Sequence, residues 1–315
     1  MTVSTPSKER ANRGYLIAVS SAFILSLTGI LIRYLTTHYQ LPALILAFWR
    51  ALIVSVTLGI ILALRSRDLL KLPRKDLPYI IIYGFVLAVF NSTWTLSVAV
   101  NGAASATVMV YCSAAFTALL AWIFLKESLG AGKLLAVVLS LAGCVLVSAA
   151  YKPESWNSNF LGIATGILAG LCYAVYSLMG RSASQRGLNP WTTLFYIFVF
   201  DAVFLLAFNL IPGVKIPGAA GTANLLIWPG MDWLGWGVLI VLAAVPTLLG
   251  FGTYMVSLSY LPSSVVNLIA TLEPFFTTVI AYFAFGEQLT PIQFVGGFFI
   301  IIGVVITRLT EMRRL

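Results

Sequence analysis

Three ionisable residues, Arg50, Asp201 and Glu273, stand inside long apolar runs of a 315-residue chain. A charge at the centre of a bilayer costs about 2.5–3.5 kcal/mol on insertion scales, so three left alone would cost on the order of 8 kcal/mol. Such groups pair or face water, and they mark solute and ion pathways. Glu273 is followed by Pro274, whose ring removes a backbone donor and interrupts a helix locally. A carboxylate there can hold a substrate amine or a coupling proton; it can equally be a fixed partner for a broken helix or for Arg50. Arg50 can receive a substrate carboxylate, although an internal Arg–carboxylate pair is the favoured reading, with Asp201 the natural alternative partner and the choice of pair not readable from the sequence.

Polar and aromatic residues recur in the same runs: Asn91, Trp94 and Ser97; Tyr111; Tyr173, Tyr176 and Ser177; Tyr254; Asn267 and Thr271. Asn267 and Thr271, four apart, share a helix face. Polar groups facing lipid find no partners, so these faces turn inward. Singly each aromatic reads as packing; as a set present in both halves of the chain they read as a cavity wall. Glu127 and Glu287 lie at span ends and read as helix caps or gates. Gly162, Gly166 and Gly170 form a small-residue stripe for close helix packing. Trp156, Trp228 and Trp233 fall in loops and read as interfacial anchors.

Other chemistries find little support. Gly130-Ala131-Gly132-Lys133 is too short for a phosphate-binding loop, so no ATP motor is expected. His38 is the only histidine, which excludes a histidine metal site or relay. No catalytic cluster points to an enzyme, and no cofactor or metal is expected. Cys112, Cys144 and Cys172 all sit in apolar runs and read as inert packing residues rather than a disulfide framework.

The elements that carry these residues must be membrane helices. Hydrophobic residues make up 60% of the chain and charged residues 9%, where a soluble domain carries roughly 25% charge. The runs are about 20 residues long, enough for a helix to cross roughly 30 Å of hydrocarbon. Ten spans result, at 14–36, 42–64, 77–99, 103–125, 131–150, 160–180, 190–211, 234–259, 263–285 and 291–308. Pro246 predicts a kink in the eighth. The first run, from Tyr15 to Tyr34, exceeds a signal-peptide core and reads as a span. With both termini cytoplasmic, 15 Lys and Arg residues fall inside, three (Arg33, Lys152 and Lys215) outside, and Arg50 within a span, as the positive-inside tendency requires. That placement accounts for the net charge of +9 without nucleic acid.

The chain also aligns with itself. Gly14, Arg33 and Pro42 match Gly162, Arg181 and Pro190 at an offset of 148. Thr93, Ser97, Thr117, Ala121, Glu127 and Leu129 match Thr253, Ser257, Thr277, Ala281, Glu287 and Leu289 at an offset of 160. Two units follow, 14–150 and 160–308, each of five spans. An odd number inverts one unit relative to the other, the architecture of alternating access.

The segment Tyr260 to Thr307 resembles the C-terminal half of an EamA domain, the ten-helix branch of the drug/metabolite transporter superfamily. The resemblance rests on Glu273-Pro274, Gly286-Glu287 and the run Gly296 to Gly303, echoed by Lys126-Glu127-Ser128-Leu129 and Phe48-Trp49-Arg50 in the first half. The tryptophan common in the family's first span is absent, with Phe23 and Ser26 nearby. The resemblance implies a transporter, with YddG-like exporters of amino acids as the nearest reading. Relatives that carry drugs or sugar phosphates, a passive channel and a lipid scramblase stand as alternatives. The expected partners are a small-molecule substrate, membrane lipid and candidate coupling protons, with no nucleic acid. The expected state is a monomer in a bacterial-type cytoplasmic membrane.

Overall fold

A computed structural model describes residues 8–147, 150–153, 160–211, 216–220, 222–227, 229–285 and 290–312. Glu287, Trp156 and Trp228 lie outside the described residues. The described chain is helical: α1 (Lys8–Leu25), α2 (Thr28–His38), α3 (Ala43–Arg65), α4 (Leu77–Tyr111), α5 (Ser113–Phe124), α6 (Ala131–Val147), α7 (Phe160–Gln185), α8 (Pro190–Leu210), α9 (Ala223–Ile227), α10 (Trp233–Leu242), α11 (Phe251–Tyr260), α12 (Ser263–Ala270), α13 (Glu273–Phe285) and α14 (Pro291–Met312). Among the described residues, seven helical stretches are long and apolar enough to cross a membrane: Glu9–His38, Ala43–Arg65, Arg74–Val100, Phe160–Gln185, Pro190–Leu210, Trp233–Tyr260 and Pro291–Thr310. Two shorter apolar helices, Met109–Phe124 and Ala131–Val147, fall at the fourth and fifth expected spans. The ninth expected span is split into α12 and α13.

The third and fourth expected spans run together as α4, yet α4 is not a straight rod. Twelve residues of helix should separate Ser97 and Met109 by about 18 Å. Both instead pack on one glycine: a Cβ at Gly166 would lie 2.9 Å from Ser97 Oγ and 2.8 Å from Met109 Cβ. The chain therefore reverses between those residues, near the break expected at 99–103.

Interruptions elsewhere have visible compensation. Pro246 withholds the N–H that would bond the Leu242 carbonyl. The residues Ala243–Gly250 form a π-helical stretch, and Thr247 Oγ1 donates to Leu242 O instead (2.7 Å). Between α1 and α2 the Ser26 carbonyl accepts from Thr277 Oγ1 (2.9 Å). The fourth and ninth spans break at equivalent points: α5 starts at Ser113 and α13 at Glu273, positions related by the 160 offset.

The inversion of the two halves is visible in the contacts. The last helices of each unit, α6 and α14, run antiparallel: Gly132 faces Thr310, Gly143 faces Gly296 and Ile300, and Gln293 donates to Val147 O (3.1 Å). The second helices, α3 and α8, do the same: Asn209 Nδ2 donates to Leu44 O (3.2 Å), and Gly59 faces Phe195. Equivalent helices pointing opposite ways make the repeats inverted. The dominant packing of α4 on α7 is mirrored by that of α11 on α1. On α7, Gly170 lies against the backbone carbonyls of Met109 and Val110, so the glycine stripe is a packing surface. The three cysteines are free thiols.

Candidate functional site

Where α1, α2, α3, the two arms of α4, α7, α11 and α13 converge, an internal cavity is lined by Leu25, Thr28, Arg50, Phe90, Asn91, Trp94, Val110, Tyr111, Tyr173, Phe251 and Glu273. Its volume is about 30 Å³, room for about two waters. Both repeats contribute walls. Its charged and amide groups are the Arg50 guanidinium, the Asn91 amide and the Glu273 carboxylate, together with the hydroxyls of Thr28, Tyr111 and Tyr173.

Arg50 and Asp201 are fully buried, but no direct ion pair joins them. Arg50 Nη2 donates to Asn91 Oδ1 (2.6 Å) and Asn91 Nδ2 donates to Asp201 Oδ2 (2.7 Å). The partner of Arg50, which the sequence leaves open, is reached through an amide bridge. The reason is steric order: α4 places Asn91 between α3 and α8, and its amide meets both charges. Arg50 Nε and Asp201 Oδ1 have no hydrogen-bond partner among the described residues.

Glu273, at the first turn of α13, accepts a hydrogen bond from Tyr111 Oη, contributed by the other repeat. Apolar surface comes from Phe90 and Tyr173, stacked at 5.2 Å with planes 20° apart. Phe251 and Trp94 extend it.

One turn from Phe251 along α11, a second polar cluster lies beyond the cavity. Tyr254 and Ser177 share a hydrogen bond (2.6 Å), Asn267 Nδ2 donates to Ser177 Oγ (3.2 Å), and Ser113 Oγ donates to Asn267 Oδ1 (3.1 Å). Further along, Glu127 seizes the start of α12. Its carboxylate accepts from Ser263 N (2.8 Å), Ser263 Oγ (2.7 Å), Ser264 N (3.2 Å) and Ser264 Oγ. Lys133 Nζ donates to Ser264 Oγ (3.0 Å), and Arg181 Nη1 donates to Leu258 O (2.9 Å). At the end of the bundle that carries both termini, these bonds join the α5–α6 connection and α6 to the start of α12, and α7 to α11.

A family profile described as the EamA-like transporter family matches residues 12–149 and 160–309. The chain belongs to that family. This EamA-like transporter is a multi-pass membrane protein of the drug/metabolite transporter type. It is 28% identical over 224 residues to an uncharacterized transporter of Archaeoglobus fulgidus, covering 70% of this chain and 74% of that one. The uncharacterized transporter YyaM of Bacillus subtilis is 24% identical over 296 residues, 92% of each chain. A solved crystal structure superimposes with a TM-score of 0.75 at 15% identity, covering 96% of this chain and 99% of that one; it shows the shared fold.

Of the residues singled out from sequence, the EamA-like transporter brings Arg50, Asn91, Trp94, Tyr111, Tyr173 and Glu273 to one cavity. Asp201 stands behind Asn91. Tyr254 and Asn267 belong to the second cluster, and the Tyr176 ring is stacked beneath Tyr173 at 6.1 Å. Ser97 packs against α7, donating to Gly162 O (3.3 Å), and Thr271 bonds back to Leu268 O (2.6 Å) within its own helix. Those two are spent on packing. Glu127 caps α12, one of the two readings it carried. Leu25, Thr28, Phe90, Val110 and Phe251 join the lining without having been singled out. Phe90 and Phe251 neighbour marked polar residues by a single position or turn, which is the only signal that could have flagged them.

Proposed function

We propose that this transporter exports small amphoteric metabolites, amino acids foremost, by alternating access between the inverted repeats. One observation carries the reading: a single cavity between the halves presents a guanidinium, Arg50, and a carboxylate, Glu273, with an aromatic wall formed by Phe90, Trp94, Tyr173 and Phe251. A zwitterion places its carboxylate at Arg50, its ammonium at Glu273 and an apolar side chain on the rings. Among the described residues Arg50 is the only cation lining the cavity, whereas a phosphate ester calls for several. Room for about two waters is too little for an amino acid, so loading requires the helices to part, as a carrier needs and a fixed pore does not. The bias of Lys and Arg supports cytoplasmic termini in a bacterial-type cytoplasmic membrane. Protons are the candidate coupling ion through Glu273, and the chain works as a monomer.

Counterflow into proteoliposomes of the full chain, against a panel of amino acids with and without a proton gradient, tests this. Saturable counterflow of aromatic or aliphatic amino acids is the expected result. Unsaturable flux without counterflow would replace the carrier by a channel. Preference for a phosphate ester would overturn the substrate class.

A further inference from the structure

The charged pair behind the cavity has an unusual join. Guanidinium and carboxylate normally meet directly, often through two parallel bonds. Here a neutral amide stands between them, and both charges are buried to the point of being almost inaccessible, Arg50 at 1% and Asp201 at 0%. The amide can satisfy both only in one orientation, carbonyl toward the cation and NH2 toward the anion, which is the orientation found. Asn91 thereby holds Arg50 and Asp201 in one network while keeping them apart, and Coulomb attraction weakens with that separation. Arg50 and Asn91 line the cavity; Asp201 does not. Both Arg50 Nε and Asp201 Oδ1 remain without hydrogen-bond partners among the described residues, so the bridge leaves donor capacity on Arg50.

We propose that Asn91 is the positioning residue that reserves Arg50 for a carboxylate-bearing substrate, bridging the guanidinium to Asp201 while preventing the two from pairing directly. Specificity for the acid group then lies in the spacer as much as in the cation. This rests on the reading of Arg50 as the anion end of the site and goes beyond it by naming what keeps that end available.

The test compares 3-phenylpropanoate with 3-phenylpropanamide as ligands of the purified full chain, read by ligand-induced thermal shift over a concentration series. The wild-type protein is expected to bind the acid at least about tenfold tighter than the amide, a difference of about 1.4 kcal/mol. The double exchange Asn91→Asp/Asp201→Asn keeps one acid and one amide in the network but places the acid directly on Arg50. It is expected to bring the acid-to-amide ratio close to one. Asp201→Asn alone leaves the spacer in place and is expected to keep the preference. Equal binding of acid and amide by the wild type, a double exchange that retains the tenfold ratio, or loss of the ratio in Asp201→Asn would each overturn the proposal. If the exchanged chain does not fold, the wild-type ratio and Asp201→Asn decide it. Because neither probe is a zwitterion, acid preference without amino-acid counterflow would sink the amino-acid reading and leave this one standing. Amino-acid counterflow with an indifferent Asn91 would do the reverse.

Discussion

Tyr111 closes the fourth span's first helical arm and Glu273 opens the ninth span's second, and one hydrogen bond joins them across the two repeats. The two helix interruptions at which they stand are equivalent under the internal repeat. The carboxylate is thus held at a place where both halves of the molecule are already segmented.

Two substitutions separate what that bond does for stability from what the carboxylate does for transport. Tyr111→Phe removes the donor and leaves a half-buried carboxylate short of a partner, at a cost of about 1–3 kcal/mol. Glu273→Gln retains an acceptor for the phenol and should cost less than about 1 kcal/mol by the same reasoning, yet lower counterflow of amine-bearing substrates tenfold or more. Thermal unfolding in detergent and proteoliposome flux measure the two effects. Unchanged rate and unchanged pH dependence in Glu273→Gln would remove it from the transport step.

Glu127 accepts hydrogen bonds from both the amides and the hydroxyls of Ser263 and Ser264. Glu127→Ala deprives α12 of its cap and should cost about 1–2 kcal/mol. Hydrogen exchange localises the loss: the amides of Ser263 and Ser264 should lose protection first, ahead of those in α6. Uniform change across the chain would contradict a local cap.

Glycines at helix crossings and on free faces should respond in opposite ways. A Cβ at Gly143 would lie 2.6 Å from the Gly296 carbonyl oxygen, so Gly143→Val forces the helices apart at a cost of about 1–3 kcal/mol or more. Gly237, inside α10, has nothing within 4 Å of its would-be Cβ. Gly237→Ala should therefore stabilise by about 0.5–1 kcal/mol, the helical cost of glycine. Unfolding midpoints of the two variants moving the same way would refute the assignment.

Outside the spans, Asp232 is held below the ordinary carboxylate range, first by the hydrogen bond from Tyr39 Oη (2.7 Å) and then by that from Gly235 N (2.8 Å). A carboxyl whose folded value is depressed contributes stability that is complete above its unfolded value, near 3.9. The contribution is lost as pH falls through the folded value. Asp232→Asn should flatten the acid limb of the stability profile below about pH 4 by lowering stability at neutral pH, with wild type and variant converging in acid. An acid limb identical to wild type would show that the contact carries no linkage.

Much of this architecture is readable from residue order, because hydrocarbon imposes a length and a polarity on each span. The odd number of spans per unit already implied the inversion that α6 against α14 and α3 against α8 display. The kink at Pro246 was expected; that Thr247 would supply the missing bond to Leu242 was not, since it depends on a side-chain rotamer. Arg50, Asn91 and Glu273 stood out because polarity is rare in such a chain. Phe90, Phe251 and Leu25 did not, because an apolar residue in an apolar helix has no contrast with its neighbours. Asn91 was marked as a wall residue, but its place between Arg50 and Asp201 depends on distances across three helices, which spacing along one helix does not encode. Ser97 and Thr271 show the converse: a hydroxyl in a membrane helix often bonds to backbone and never reaches a cavity.

The crossing of α6 and α14 brings Gly143 against Gly296 and Gly303 against Ser140, with backbone oxygens in direct reach. Two rods that meet at glycines, with main-chain oxygens as well as side chains in contact range, leave little slack in which to slide. They behave as a keel. On the alternating-access reading proposed above, the rearrangement that admits a solute would fall to the segmented spans, α4 with α5 and α12 with α13, with the closing helices of the two repeats moving as one piece.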